Sequence, residues 1–290
     1  MPDRIEVKEM KKRVKIASMG IFLALCLISS TSFALERVLR VSDGKIIDLK
    51  QMVQDVKGSN LIFVGEVHSN LKHHQAQLNI IKALYESKIS LAIGLEMFGA
   101  GSQKELDQWV EGTMPLGVFI DVYSRNWGMP WPWYMKILKY ARQFDIPLIG
   151  LNVDGGITEK VSKQGFEALT KDELKQLPPQ ISFDLDDQYQ AHLRRVYETH
   201  GKGETTFDNF YKAQMIWDET MAYHLMNFLD RNPGKTVVVL SGVDHAGKKG
   251  IPRQIAKKSK YQCKVIVPEI PGGEEVYSAK SEDADYILLE

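Results

Sequence analysis

Glutamate and histidine recur at the ends of apolar runs in this sequence. Glu66 and His68 follow Leu61-Ile62-Phe63-Val64-Gly65, and Glu96 follows Leu91-Ala92-Ile93-Gly94-Leu95. Asn152 follows Pro147-Leu148-Ile149-Gly150-Leu151, while Ser241, Asp244 and His245 follow Thr236-Val237-Val238-Val239-Leu240. Two carboxylates and two imidazoles brought together suit either a divalent metal or general acid–base work. Each residue can instead cap a turn, and for Asn152, Ser241 and Asp244 that reading is as good. Glu66 and Glu96 stand apart, because a carboxylate buried at a strand end is costly unless it is paired or ligating. Glu66, His68, Glu96 and His245 are therefore the candidates for both catalysis and metal ligation.

The elements that must position these residues are legible as patterns. The four apolar runs, and a fifth at Lys264-Val265-Ile266-Val267, are continuous rather than alternating, as in strands covered on both faces. Helical patterns lie between them, which predicts an α/β fold with a mostly parallel central sheet flanked by helices. Ligands of such sheets bind outside the carboxyl ends of the strands, where these polar residues fall.

Two long inserts, residues 99–133 and 158–231, predict a smaller helical subdomain over those ends. The first is irregular and holds Trp109, Trp127, Trp131 and Trp133. In the second, Thr170 with Glu173 forms a capping box, Pro178-Pro179 breaks the chain, and helices run over 184–200 and 206–230.

Tyr189, His192, Val196 and His200 share one face of the first of those two helices. Phe207, Phe210, Gln214, Trp217, Met221, His224 and Phe228 share one face of the second. Such stripes pack against a sheet, and they also have the composition of a haem pocket, where tyrosinate or imidazole ligates iron under apolar rings. Ser69 and Asn70 cap a helix on which His74 lies in the apolar stripe and His73 faces solvent.

Composition narrows the classes. Lysine plus arginine and aspartate plus glutamate number 37 each, which gives no argument for nucleic-acid binding. There is no Cys-x-x-Cys-His, P-loop, Gly-x-Gly-x-x-Gly after the first strand, or Gly-x-Ser-x-Gly elbow. The basic run Lys248, Lys249, Lys257, Lys258 and Lys260 reads as a solvated helix face, and Cys263 as an inert core thiol.

Residues 1–34 read as a secretory signal. Lys11, Lys12, Arg13 and Lys15 precede the apolar run 16–28, and Ser32-Phe33-Ala34 offers a small-residue cleavage site. Cys26 follows Leu25 rather than a small residue, a poor context for acylation.

Together these motifs resemble a known family. Gly65-Glu66-x-His68, His74, Gln77 and Leu95-Glu96-Met97-Phe98 resemble the opening of the ChaN-like, cofacial haem-binding family. Ala213-Gln214-x-x-Trp217-Asp218-x-x-Met221-Ala222 and Ser241-Gly242-x-x-His245 with Gly250-Ile251-Pro252 follow in the same order, over about residues 61–268.

The resemblance implies an exported, periplasmic protein, in some members a lipoprotein, with haem as cofactor and a role in haem or iron uptake. It implies a 35–290 haem-binding domain, a homodimer through the haem-binding face and membrane-associated uptake machinery as partner. The wider Tiki/TraB and erythromycin-esterase superfamily uses Glu and His at matching strand ends for hydrolysis, in some members with a divalent metal. Glu66, His68, Glu96 and His245 occupy those positions. The haem-ligand candidates are Tyr189, His192 and His200, with Tyr197 and Tyr123 behind them. Three expectations follow: an exported haem-binding protein, a metal-dependent hydrolase, or a binding module with a degenerate pocket.

Overall fold

A computed structural model describes residues 37–184, 187–198, 205–269 and 283–289. The segment read as an export signal and His200 lie outside the described residues. The five apolar runs form β3 (Leu61–Glu66), β4 (Leu91–Gly99), β5 (Leu148–Asn152), β6 (Thr236–Gly242) and β7 (Cys263–Pro268). Three four-residue strands, β1 (Arg37–Arg40), β2 (Lys45–Asp48) and β8 (Tyr286–Leu289), extend one side of the sheet. The order is β2-β1-β8-β7-β3-β6-β4-β5. Strands β8, β7, β3, β6, β4 and β5 run parallel to one another, and the two β1 pairings, with β2 and β8, are antiparallel.

Every residue of β3 and β6 is buried, as continuous apolar runs require. Because β6 lies between β3 and β4, the carboxyl ends of these three neighbouring strands carry Glu66, Gly242 and Glu96 to one place. Burial continues into the helices, of which α9 (Phe207–Arg231) is the longest described; Ile216, Asp218, Glu219, Thr220 and Met221 on it are fully covered.

The first insert is more regular than its sequence suggests. It contains α3 (Gln103–Val110) and α4 (Leu116–Asn126), followed by α5 (Trp131–Gln143). Trp109 is buried and stacks on Phe119 at 4.2 Å. Between β5 and α9 come α6 (Gly155–Gln164), the short α7 (Lys171–Leu174) behind the Thr170–Glu173 capping box, and α8 (Asp187–Val196).

Two details fix the far edge of the sheet. Gln103 Nε2 donates to the Leu148 carbonyl at 2.8 Å, and its Oε1 accepts from the Gly150 amide at 3.0 Å. A side-chain amide thus fills the place of a further strand. A Cβ on Gly150 would stand 2.5 Å from the Gly99 carbonyl oxygen, so the register of β5 beside β4 needs glycine there.

Two expectations are corrected. His73 is buried, not solvent-facing: its Nδ1 accepts from the Val67 amide at 2.9 Å and Asn70 lies 3.0 Å from its Nε2. The turn between β3 and α2 (Leu71–Glu86) has an amide that needs an acceptor, and the ring supplies it. The basic run is not a free face either. Lys248 and Lys249 pair with Asp285 and Asp283, and Lys258 pairs with buried Glu219. Lys257 and Lys258, on α11 (Ile251–Lys258), also reach the carbonyls of Asp184 and Gln180, as does Arg253 toward Asp184. These cations fasten the segment that leads to α8.

Candidate functional site

The four predicted residues meet at the carboxyl ends of β3, β4 and β6. Glu66 is 1% exposed. One of its oxygens accepts from His68 Nδ1 at 2.7 Å and from the hydroxyl of Tyr134 on α5. His74 Nε2 lies 3.4 Å from the other oxygen, at ion-pair distance but without hydrogen-bond alignment. Burial pushes the Glu66 carboxyl up, but His68, His74 and Tyr134 together outweigh it and hold it at about 2. Burial and the Glu66 charge push the Tyr134 phenol far up, so it stays a donor.

A second carboxylate holds the other imidazole. His245, on the short α10 (Val243–Ala246), bonds Asp218 Oδ1 through Nδ1 at 2.7 Å. Asp218 comes from the middle of α9 and is wholly buried. Burial alone would lower the basicity of His245, yet Asp218 and Glu96 raise it to about 9. His68 is raised in the same sense, its desolvation being outweighed by Glu66 and Glu96.

Glu96 stands between the two imidazoles. Its Oε2 accepts from the Gly242 amide at 2.7 Å, and its Oε1 lies 3.9 Å from His245 Nε2. The His68 ring lies over Gly242, where a Cβ would be 3.3 Å from His68 Nε2 and 3.9 Å from Glu96 Oε2. Asn152 plays a supporting part, donating to the Glu96 carbonyl at 3.0 Å. Trp127 sets its ring edge-on to His68, with centroids 5.0 Å apart.

The expectation of a divalent metal on these four side chains is not supported. Among the described residues, no group of three or more His, Cys, Asp or Glu is arranged to hold a metal ion. Both Nδ1 atoms are bound to carboxylates and one oxygen of Glu96 to a backbone amide, which leaves His68 Nε2, His245 Nε2 and Glu96 Oε1 outside these bonds. What remains is an array of carboxylate-oriented imidazoles beside a third carboxylate, suited to hydrogen bonding and proton exchange.

Asp218 and Tyr134 are the partners that sequence reading did not identify. Asp218 lies within the Trp217-Asp218 motif, but helical spacing gives it no partner outside its own helix. Tyr134 carried no signal, since nothing local ties a tyrosine on α5 to the end of β3.

The proposed haem ligands fare unequally. Tyr189 is 1% exposed and its hydroxyl donates to Asp218 Oδ2 at 2.6 Å. Burial and the Asp218 charge push its phenol well up, which opposes the tyrosinate that iron ligation needs. His192 sits on the same face of α8, partly exposed, with Nε2 3.1 Å from Asp244 Oδ1. Tyr197 donates to the Thr205 carbonyl and Tyr123 to that of Met129. A half-open pocket of about 340 Å³ lined by Asn60, Asp230, Lys235 and Tyr261 lies at the amino ends of β3 and β6, away from all of these groups.

The family model described as haem-binding uptake, Tiki superfamily, ChaN, matches residues 52–255. Among solved structures, one of ChaN from Campylobacter jejuni, described as showing cofacial heme binding, superposes with a TM-score of 0.70 at 19% identity, over 88% of this chain and 96% of that one. The type III effector HopBA1 superposes with a TM-score of 0.50 at 12% identity, over 83% and 92%. Among curated proteins, "Protein RETICULATA-RELATED 5, chloroplastic" of Arabidopsis thaliana is 21% identical over 239 residues. That match covers 76% of this chain but only 32% of the plant protein, so the chain spans about a third of that relative's length. At these identities the structural likenesses establish the fold.

Proposed function

This chain belongs to the haem-binding uptake family of the Tiki superfamily, the ChaN family, and from that membership we propose that it binds haem on the outer face of α8 and α9. The observation that carries the placement is an aromatic cluster. Tyr189, Leu193 and Met215 are buried there, and Phe183, Phe207, Phe210 and Tyr211 pack on them while staying partly open. Tyr197 lies against Phe207 and Phe210, and the Arg194 guanidinium sits 4.1 Å above the Phe207 ring.

These residues fit the group. A macrocycle needs apolar cover, an oxygen or nitrogen ligand, and a cation for its propionates. Phe207 and Phe210 offer cover and Arg194 the cation. Tyr211 offers a phenol that makes no hydrogen bond among the described residues, unlike that of Tyr189. His192 offers an imidazole, and its Asp244 partner orients the ring. When bound, haem would supply an iron centre for a phenol or imidazole donor; Phe207 and Phe210 would cover it and Arg194 would hold its propionates.

The same reading includes export and a role in uptake. The basic cluster 11–15 followed by the apolar run 16–28 supports export, and the family description supports uptake. No described helix is long and apolar enough to cross a membrane. Two copies meeting through this face would cover each other's half-exposed rings, which supports a haem-bridged pair.

Hemin titration tests the proposal. A saturable Soret band is expected, shifted or weakened in Tyr211→Phe and unchanged in ligation in Tyr189→Phe. Absorbance that rises linearly without saturation would remove the reading.

A further inference from the structure

The strand-end cluster retains unused hydrogen-bonding capacity that the haem reading does not absorb. Among the described residues, Nε2 of His68 and Nε2 of His245 make no hydrogen bond; each ring is held only through Nδ1. Glu96 Oε1 makes none either, and lies 3.9 Å from His245 Nε2. Both rings are fixed from behind by buried carboxylates, so these three atoms are presented, not mobile. The His68 side chain is 32% exposed, and those of His245 and Glu96 are 10% and 8%, so the cluster is reached from the His68 side.

From these atoms we propose a second binding site, between His68, His245 and Glu96, for an uncharged small molecule that presents hydroxyl groups. The charge already in place selects the class. Three buried carboxylates, Glu66, Glu96 and Asp218, already face the imidazoles of His68 and His245, so charge is largely balanced within the cluster and a further unpaired charge gains little there. A cation would find one acceptor at Glu96 and two ring nitrogens whose carboxylates are already satisfied. A hydroxyl is both donor and acceptor: it can donate to Glu96 Oε1 and bond a ring nitrogen whether or not that nitrogen bears a proton. A vicinal diol reaches two of the three atoms at once. The half-buried Trp127, edge-on to His68 at 5.0 Å, provides apolar surface for the carbon skeleton at the opening.

The site is separate from the face proposed for haem. Tyr189 and His192 of α8 contact Asp218 and Asp244, whereas Glu96 holds the Gly242 amide. The two readings therefore use different atoms, although Asp218 links Tyr189 to His245.

The experiment titrates the full chain, without hemin, with glucose, myo-inositol and glycerol, and in parallel with acetate, phosphate and ethylammonium. Imidazole nitrogen shifts and tryptophan fluorescence are the readouts. The expected result is a saturable shift of His68 and His245 Nε2 in the millimolar range with at least one hydroxyl compound. At least a tenfold loss of affinity is expected in His68→Asn and in Trp127→Ala, each verified as folded by circular dichroism. If His68→Asn does not fold, Trp127→Ala with the wild-type shifts decides. No saturable shift with any of the three hydroxyl compounds would overturn the proposal. So would a response to acetate, phosphate or ethylammonium that equals or exceeds theirs. Hemin binding retained in His68→Asn is expected, so loss of the sugar response does not bear on the haem reading.

Discussion

Tyr189 and His245, distant in sequence, bond opposite oxygens of the same buried carboxylate, that of Asp218. The phenol is thereby a positioning group. It shares the charge of Asp218 and so limits how strongly that charge acts on His245. Removing the hydroxyl leaves Asp218 more attractive to the imidazolium. In Tyr189→Phe the His245 midpoint, about 9 in the native protein, should move further up in an imidazole titration. The lost charge-assisted bond should also cost about 1.5–3 kcal/mol in chemical denaturation. A midpoint that stays or falls would show that Asp218 is not shared as drawn.

The two raised and lowered groups set opposite limbs of a stability profile. His245 binds its proton more tightly when folded, so its contribution is complete below the unfolded value of 6.5. It is lost as pH rises through about 9. Glu66 is the reverse: its contribution is complete above 4.5 and is lost as pH falls through about 2. Urea unfolding from pH 2 to 10 should give a plateau between these limbs. His245→Asn should flatten the alkaline limb, and Glu66→Gln the acid limb together with the part of the alkaline limb that comes from His68.

Glu66→Gln should also be costly in itself. The carboxylate serves His68, His74 and Tyr134 at once, and an amide cannot accept from all three. A loss of about 3 kcal/mol at neutral pH is expected, as for one partner removed from a buried ionic group. Tyr134→Phe, which removes one donor and leaves the others, should cost about half as much.

The glycines of the outer strands should differ sharply. A methyl on Gly150 meets the Gly99 carbonyl at 2.5 Å, backbone against backbone. A methyl on Gly94 meets side chains, the tips of Leu151 and Leu225 at 3.0 and 3.1 Å and Val237 at 3.4 Å. Gly150→Ala should lose about 3 kcal/mol or fail to fold, while Gly94→Ala should lose about 1–2 kcal/mol. Paired thermal melts of the two variants measure this difference.

Gln254, fully buried on α11, satisfies neither its amide nitrogen nor its carbonyl oxygen with a protein partner. Replacement by leucine, of similar size, should be neutral or stabilise by about 1 kcal/mol. Strong destabilisation, read as a lowered denaturation midpoint, would mean that the amide has a partner such as buried water.

The central strands were readable because both faces are covered, and a twice-buried strand must be apolar throughout; Leu61–Val64 and Val237–Leu240 leave no other reading. The polar residues just past them were readable for the same reason, as breaks in an apolar rule. The three short strands were not. Residues such as Tyr286–Leu289 are too few to show a period, and they become strands only because β7 offers an open edge. Tyr134 and Asp218 were hidden because their partners lie on other elements, and helix periodicity describes only a residue's own helix. His73 was misread outward because its acceptor role answers an orphan amide in the preceding turn, which spacing cannot reveal.

The side chain of Gln103 has a consequence for how this molecule behaves in company. Strand β5 is the last of its sheet, and the Leu148 carbonyl and Gly150 amide on its outer side are the groups a stranger's backbone would seize. With both already engaged by one amide, that border is closed to recruitment of a neighbouring chain. Gln103→Ala would reopen it, and the first symptom would be turbidity at high concentration while the individual molecule stayed folded.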